Sequence, residues 1–323
     1  MTKRLLVVGL AIFGFGSVAA IQAQKEEGAL ATQILVGVDA RSTPPANASD
    51  LTITVDGRKV PLSSWTPIVP AEAQVALLID DGLRESVGRN LDSLRAFLKG
   101  LPPGIEVLVG YMQNGRVVQA QPFTTDHDAA AAAIRLPEGV PGESASPYFC
   151  LSDFVKKWPG ALPADADTAI RREEQAAPKQ KARFVLMITN GVDPYNGSTS
   201  VMNQDSPYVA TAVTDAQRAG VVVYSIYFTD AGIRGPSASL SGQSYLQQLS
   251  DGTGGVNYYE GVGNPISMDP FLKQFVQALA KSYIATFDAP AGKGSHDLAS
   301  VKIASASKAK LRAARAVRAG NLE

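Results

Sequence analysis

The sequence predicts an α/β fold: a doubly wound, mostly parallel sheet with one antiparallel edge strand, plus small β segments from both termini. Three observations lead there. Apolar runs at 75–79 (Val-Ala-Leu-Leu-Ile), 183–189 (Arg-Phe-Val-Leu-Met-Ile-Thr) and 221–228 (Val-Val-Val-Tyr-Ser-Ile-Tyr-Phe) read as strands buried on both faces of a parallel sheet. Each run is followed by a stretch of helical periodicity, which implies right-handed crossovers and a ligand crevice at the carboxyl ends of the strands. The dipeptide Asn114-Gly115 joins 105–112 to 116–121 as a tight hairpin, which supplies the antiparallel strand.

The elements follow in order. Lys3 and Arg4 precede an uncharged stretch to Gln22 that is apolar to Ile21, with Ala19, Ala20 and Ala23 beyond its core. This pattern reads as a signal peptide over 1–23, the competing reading being an uncleaved anchor. The run is shorter than the roughly 20 residues a span prefers, and Gly9, Gly14 and Gly16 weaken it as a helix. Residues 24–70 form an N-terminal β segment, with strand-like runs at 33–38, 51–55 and 59–62 and a hairpin turn at Asp56-Gly57. The main domain spans 71–284. Its first helix is expected over 86–98, with Ser86 as candidate cap and Gly100 and Pro102 as the stop. Helices are also expected over 126–136, 147–158, 207–219, 243–250 and 268–282, a short strand over 256–260, and a surface insertion over 159–181. Residues 285–323 read as a C-terminal β segment and basic tail, carrying Lys302, Lys308, Lys310, Arg312, Arg315 and Arg318.

Composition excludes several functions. The 323 residues, 45% apolar and 19% charged, suffice for a real core. Thirty basic residues balance thirty acidic ones, so no net field gathers nucleic acid, and no aromatic residue follows Phe287 to stack bases beside the basic tail. The single Cys150 excludes an internal disulfide, and with His127 and His296 it cannot build the usual zinc site. Catalytic signatures of the G-x-S-x-G, H-E-x-x-H and P-loop types are missing. His127, flanked by Asp126 and Asp128, would serve catalysis only if Ser144 or Ser146 approached it.

Loops at the carboxyl edge carry Asp80-Asp81-Gly82-Leu83-Arg84, Glu143-Ser144-Ala145-Ser146 and Asn190-Gly191-Val192-Asp193. With "ASPY" before a helix, "ITNGVD", "DAQRAGVVVYSIYF" and "LSDGTGGVNYY", the order of elements resembles a von Willebrand factor A domain. The flanking "ITVDGRKVPLSSW" and "SYIATFDAPAGKGSHDLASVKI" look like the bacterial VWFA-related subgroup, acidobacterial type. The resemblance covers roughly residues 33–305 and implies a vWA/Rossmann-like fold.

It also implies a site. In that family, Asp-x-Ser-x-Ser, a Thr from a second loop and an Asp from a third bind magnesium, leaving a position for a partner's carboxylate. Here Asp80 matches the first Asp, Gly82 and Arg84 stand at the two Ser positions, Ser144 or Ser146 at the Thr, and Asn190 at the Asp. Tight magnesium is therefore not expected, since it demands near-ideal octahedral oxygen ligation, and no other cofactor is implied. Restoring Gly82→Ser, Arg84→Ser and Asn190→Asp should strengthen metal binding. Arg84 either replaces the cation by pairing with Asp80 or Asp81, or points to solvent at the helix start. Asp193 is either a displaced acid or a turn residue before Pro194.

The expected function is an exported, periplasmic or secreted, non-enzymatic protein-binding domain of adhesion type with a degenerate metal site. Its partner-binding crevice comprises Asp80, Asp81, Arg84, Ser144, Ser146, Asn190 and Asp193. The partner is a protein, not nucleic acid, with a membrane involved only if the N-terminal segment stays uncleaved. The alternatives are an exported α/β hydrolase-like enzyme and an inert envelope scaffold.

Overall fold

Four short strands begin the described chain: β1 (Ala29–Val38), β2 (Leu51–Val55), β3 (Arg58–Val60) and β4 (Leu62–Pro67). A computed structural model describes residues 29–140, 142–159, 181–195, 206–229, 235–261, 263–290 and 298–322. The signal-peptide segment, His296 and nearly all of the 159–181 insertion lie outside them. The central part runs β5 (Ala73–Asp80), α1 (Leu91–Lys99), β6 (Glu106–Gln113), β7 (Arg116–Thr124), α2 (His127–Ala132), α3 (Pro147–Lys156) and β8 (Ala182–Thr189). It continues as α4 (Pro207–Arg218), β9 (Val221–Tyr227), α5 (Gly235–Thr253), β10 (Asn257–Tyr258) and α6 (Asp269–Ala280). The chain then returns to strands: β11 (Ser282–Pro290), β12 (Leu298–Ser305), β13 (Leu311–Ala313) and β14 (Ala316–Arg318).

The central sheet has six strands in the order β10-β9-β8-β5-β6-β7. All neighbours are parallel except β7, which pairs antiparallel with β6 at the sheet edge. The apolar runs sit in the middle because both their faces must be covered. Alternate residues of β5 supply two cores. Leu77 and Ile79 pack with α1, α2 and α6 on one face, and Ala76 and Leu78 with α3, α4 and α5 on the other.

Two four-stranded antiparallel sheets, β13-β1-β11-β4 and β14-β12-β2-β3, are assembled from both ends of the chain. They face each other over Ile34, Val36, Ile53, Val55, Phe287 and Val301. Much of the expected basic tail is therefore sheet. Arg312 lies in β13 and Arg318 in β14, where the strands supply apolar residues such as Val317 to the sandwich core.

Helix starts and stops differ from the periodicity in two informative places. The turn Glu85–Asn90 is 3-10, and α-helix begins only at Leu91. Ser86 is inside that turn, not capping it, and the Asn90 side chain instead accepts from Met268 N at 3.0 Å. Secondly, α2 stops at Ala132 although the alanine-rich pattern runs on. The Tyr111 hydroxyl accepts from Arg135 N at 2.7 Å and donates to Arg135 O at 3.0 Å, drawing that backbone out of helical register.

Candidate functional site

Parallel pairing of β5 with β8 places Ile79 opposite Ile188, so Asp80 and Thr189 leave the sheet side by side. The Thr189 hydroxyl donates to Asp80 Oδ2 at 2.7 Å, and Gly82 N donates to Oδ1 at 3.0 Å. Ser144 adds a further side-chain hydrogen bond to the same carboxylate. Asp80 is 2% exposed. Burial pushes its carboxyl above the usual range, and the bonds from Thr189, Gly82 and Ser144 offset only part of that.

Of the two candidate serines, Ser144 is the one facing Asp80. Ser146 caps α3, its hydroxyl accepting from Tyr148 N at 3.3 Å. The loop carrying them is seated on the β6–β7 hairpin, where Asn114 N donates to Glu143 O (2.7 Å) and Gly115 N to Ser144 O (3.0 Å). The Cys150 thiol, fully buried, donates to Ser144 O at 3.2 Å. Ala145 adopts φ +59°, a left-handed conformation that a non-glycine residue keeps only where its surroundings hold it.

Asp81 is held by Arg135, a cation outside the expected crevice residues. Arg135 grips its carboxylate through both ends of the guanidinium, Nη1 to Oδ1 and Nη2 to Oδ2, each at 2.7 Å. Gln113 Nε2 also donates to Oδ2, and Glu138 N to Oδ1 at 3.1 Å. The guanidinium lies 3.8 Å from the centre of the Tyr111 ring. Burial alone would raise the Asp81 carboxyl, but Arg135, Gln113 and Glu138 N outweigh it and hold the group below its ordinary range. Arg84 is exposed at the start of the 3-10 turn, while the bonds that hold Asp80 and Asp81 come from Gly82, Thr189 and Ser144 and from Arg135, Gln113 and Glu138. The distinction has a local cause: Asp81 N bonds to Met112 O, which turns the side chain toward the end of β6 and away from Arg84.

The third loop is closed against α5. Asn190 Oδ1 accepts from Val192 N at 2.9 Å, and Gly191 N donates to Thr189 Oγ1 at 3.1 Å. The Tyr148 hydroxyl donates to Gly191 O at 2.7 Å. A Cβ on Gly242 would stand 2.2 Å from Asn190 O, so only glycine allows this approach. Asp193 is a turn residue here: it accepts from Tyr195 N at 3.2 Å and from Ser206 Oγ, the cap of α4, at 2.8 Å. Its carboxylate is thus engaged apart from the Asp80 cluster.

The described residues offer a magnesium ion an incomplete and largely occupied set of ligands. Both Asp80 oxygens already accept from protein donors, Asn190 Oδ1 closes its own turn, and Asp81 is neutralised by Arg135. Gly82, where the family has a ligating serine, is packed beneath the second loop. A Cβ there would lie 3.0 Å from Val140 O and 3.3 Å from both Asp80 Oδ1 and Glu143 N. Among the described residues, no group of three His, Cys, Asp or Glu is placed to hold a metal.

Numbered along the central sheet, the strands stand in the order 6-5-4-1-2-3, with only the third antiparallel, and the loops after the first and fourth carry Asp80 and Asn190. This chain has a von Willebrand factor A-like fold. The vWA-like sheet places its crevice where the doubly wound topology requires, at the carboxyl ends of the strands. No family model and no curated protein matches the sequence. Among solved structures, the chain is similar to an aerotolerance-related membrane protein from Bacteroides fragilis NCTC 9343 at 11% identity, over 65% of this chain and 99% of that one, with TM-score 0.41. It is also similar to the ArnB paralog VWA2 from Sulfolobus acidocaldarius at 9% identity, over 90% and 76%, with TM-score 0.38. The SpRpn10 VWA domain matches at 9% identity, over 62% and 93%, with TM-score 0.33. The fold assignment rests on the strand order and its strand-end loops, and these distant likenesses carry no function across.

Around the vWA-like crevice the surface opens into a shallow cleft of about 590 Å³ lined by Arg84, Glu85, Ser86, Glu138, Gly139 and Asn264. Leu136, Val140 and Ile266, the last 80% exposed, belong to the same two lining loops. His127 sits elsewhere. Its Nε2 bonds Ile105 O at 2.9 Å, at the amino end of β6, roughly 25 Å along the strand from the edge that carries Ser144.

Sequence reasoning missed Thr189, Arg135, Gln113 and Tyr111. Thr189 had a signal, since it ends the apolar run immediately before Asn190 and its hydroxyl falls beside Asp80 once the strands pair. Arg135 had none, because its partner is 54 residues away in sequence.

Proposed function

We propose that the chain is an exported, non-enzymatic protein-binding domain that recognises its partner at the carboxyl edge of the sheet without a divalent cation. The observation that carries this reading is the internal satisfaction of Asp80, whose two oxygens accept from Gly82 N and Thr189 inside a closed set of loops. With Ser144 added, three of the roughly four acceptor sites of that carboxylate are taken by the protein itself, which favours recognition by the surface above it. There, charged Arg84, Glu85 and Glu138 lie beside the apolar Leu136, Val140 and Ile266, the mixture of apolar anchors and polar rim typical of protein interfaces. The non-enzymatic part is supported by the separation of His127 from Ser144 and Ser146, so that among the described residues no imidazole base stands beside those hydroxyls. Export is supported by the n-region, apolar run and small residues of 1–23.

The test is photo-crosslinked capture from the envelope fraction of the source cells, with probes placed at Ser86 and Asn264, in magnesium and in EDTA. One protein captured equally in both, and lost with Val140→Asp plus Ile266→Asp, is the expected result. Capture only in magnesium, or capture unaffected by the double substitution, would overturn the reading. N-terminal sequencing of the native protein checks export, with a start near Gln24 expected and a start at Met1 contradicting it.

A further inference from the structure

The misfit between this crevice and a metal leaves a mechanical question: what fixes loops that elsewhere converge on an ion. We infer that Arg135 is the positioning residue that does so for the first and second loops, an inference that rests on the metal-free reading above. A metal gathers oxygen ligands from separate loops around one charge. Here one guanidinium gathers them from the neighbouring carboxylate, Asp81 instead of Asp80. It binds both Asp81 oxygens, and Nη1 also donates to Leu136 O at 2.9 Å, so a single cation ties the first loop to the second.

Asp81 completes the tie from its own side. Its Oδ1 accepts from Glu138 N, its carbonyl accepts from Gly139 N at 3.0 Å, and Gln113 anchors it to the end of β6. Arg135 is itself held at its backbone N–H and carbonyl by the Tyr111 hydroxyl, and its guanidinium stacks on the same ring. The geometry suits arginine specifically. A planar fork matches two carboxylate oxygens and an aromatic face, whereas a lysine ammonium is a point charge that matches neither. The second loop, so held, lies across Gly82, lines the cleft with Glu138 and Gly139, and leaves Leu136 and Val140 exposed on either side of them in sequence. The third loop is secured separately, by Thr189 on Asp80 and by the Tyr148 hydroxyl on Gly191 O.

The experiment is residue-resolved amide exchange on wild type, Arg135→Met and Arg135→Lys. In Arg135→Met the amides of Gly82, Glu138, Gly139 and Glu143 are expected to exchange about tenfold faster or more, while Val185 and Val223 in the sheet keep their protection. Arg135 is 40% exposed, so the effect is discounted from that of a fully buried pair. Arg135→Lys is expected to recover part of the protection, and millimolar magnesium none of it. Unchanged exchange at Glu138 and Gly139 in Arg135→Met overturns the inference. So does acceleration spread evenly through the sheet, which would mark a merely structural ion pair. Restoration by magnesium would overturn the metal-free reading instead, which separates the two failures. If Arg135→Met does not fold, Arg135→Lys alone decides, because loss of one fork contact should still raise exchange at Glu138 selectively.

Discussion

Gly82→Ser restores a hydroxyl at a position where related sites have a metal ligand, and the structure sets its cost. The new Cβ would stand 3.0 Å from Val140 O and 3.3 Å from Asp80 Oδ1 and Glu143 N. Two of those three neighbours are backbone atoms, and the second loop that carries them is pinned by Asp81 and Arg135. Relief therefore means shifting a fixed loop by several tenths of an ångström, which places the substitution with overpacked cores, at about 1–3 kcal/mol. At about 2–4 °C per kcal/mol for a domain of this size, the melting temperature should fall by roughly 5 °C. Gly82→Ala separates the Cβ from the hydroxyl, and both should destabilise comparably. The triple variant Gly82→Ser, Arg84→Ser, Asn190→Asp should then gain no micromolar magnesium affinity, contrary to what the residue types alone suggest, because the serine arrives under a closed loop. Thermal melts and isothermal titration measure both quantities. A triple variant that melts like the wild type and binds magnesium in the micromolar range would refute this reasoning.

Further outcomes follow from the same geometry. Asp80→Asn should lower stability less at pH 7 than at pH 4, since the amide cannot accept from both Gly82 N and Thr189 but escapes the burial penalty that falls on the ionised carboxyl of Asp80. Its folded value lies above the unfolded one, so the penalty is complete above the folded value and disappears below about 4, where both states are protonated. Melts of both proteins at pH 7 and pH 4 check this, and an equal loss of stability at both pH values would contradict it. Asp81 has the opposite sign: its lowered value contributes stability above the unfolded value near 4, lost as pH falls through the folded one, so Asp81→Asn should destabilise at pH 7 and converge with wild type in strong acid. Gly242→Ala should cost about 2 kcal/mol or more in urea unfolding, because the Asn190 carbonyl lies 2.2 Å from the added carbon and is backbone. A neutral effect would show that the third loop moves freely.

The central strands were legible because a strand covered on both faces must be apolar throughout. Val75 to Ile79 and Phe184 to Ile188, all buried, could be nothing else in an alternating α/β pattern. The strand-end loops were legible for the same reason, since they begin where those runs stop. Local signals failed where long-range contacts decided. The alanine-rich stretch continues past Ala132, but a single tyrosine hydroxyl from β6 captures Arg135 and ends the helix, and no periodicity reveals that. Ser86 is a good cap by type, yet Asn90 is drawn away to Met268 N and the turn stays 3-10. In the crevice, charge and spacing offered Arg84 either as the substitute cation or as a solvent-facing residue, and gave no hint of Arg135. The backbone bond from Asp81 N to Met112 O aims the carboxylate at Arg135, a preference that depends on strand pairing. The basic C-terminal residues were hidden by their charge, because β14 leaves Arg318 exposed and β13 half-buries Arg312 against Asp39, while Leu311 and Val317 face the sandwich core.

The central claim is that side chains hold the carboxyl-edge loops and that no divalent cation is required. The most direct measurement is the melting temperature of the mature wild-type protein across a magnesium titration, begun from protein dialysed against EDTA. A ligand bound only by the native state stabilises it by about 2.7 kcal/mol at a hundredfold excess over its dissociation constant, so a tight site has no way to stay hidden. The melting temperature should stay flat up to millimolar magnesium. A saturable rise of several degrees with a micromolar midpoint would contradict it.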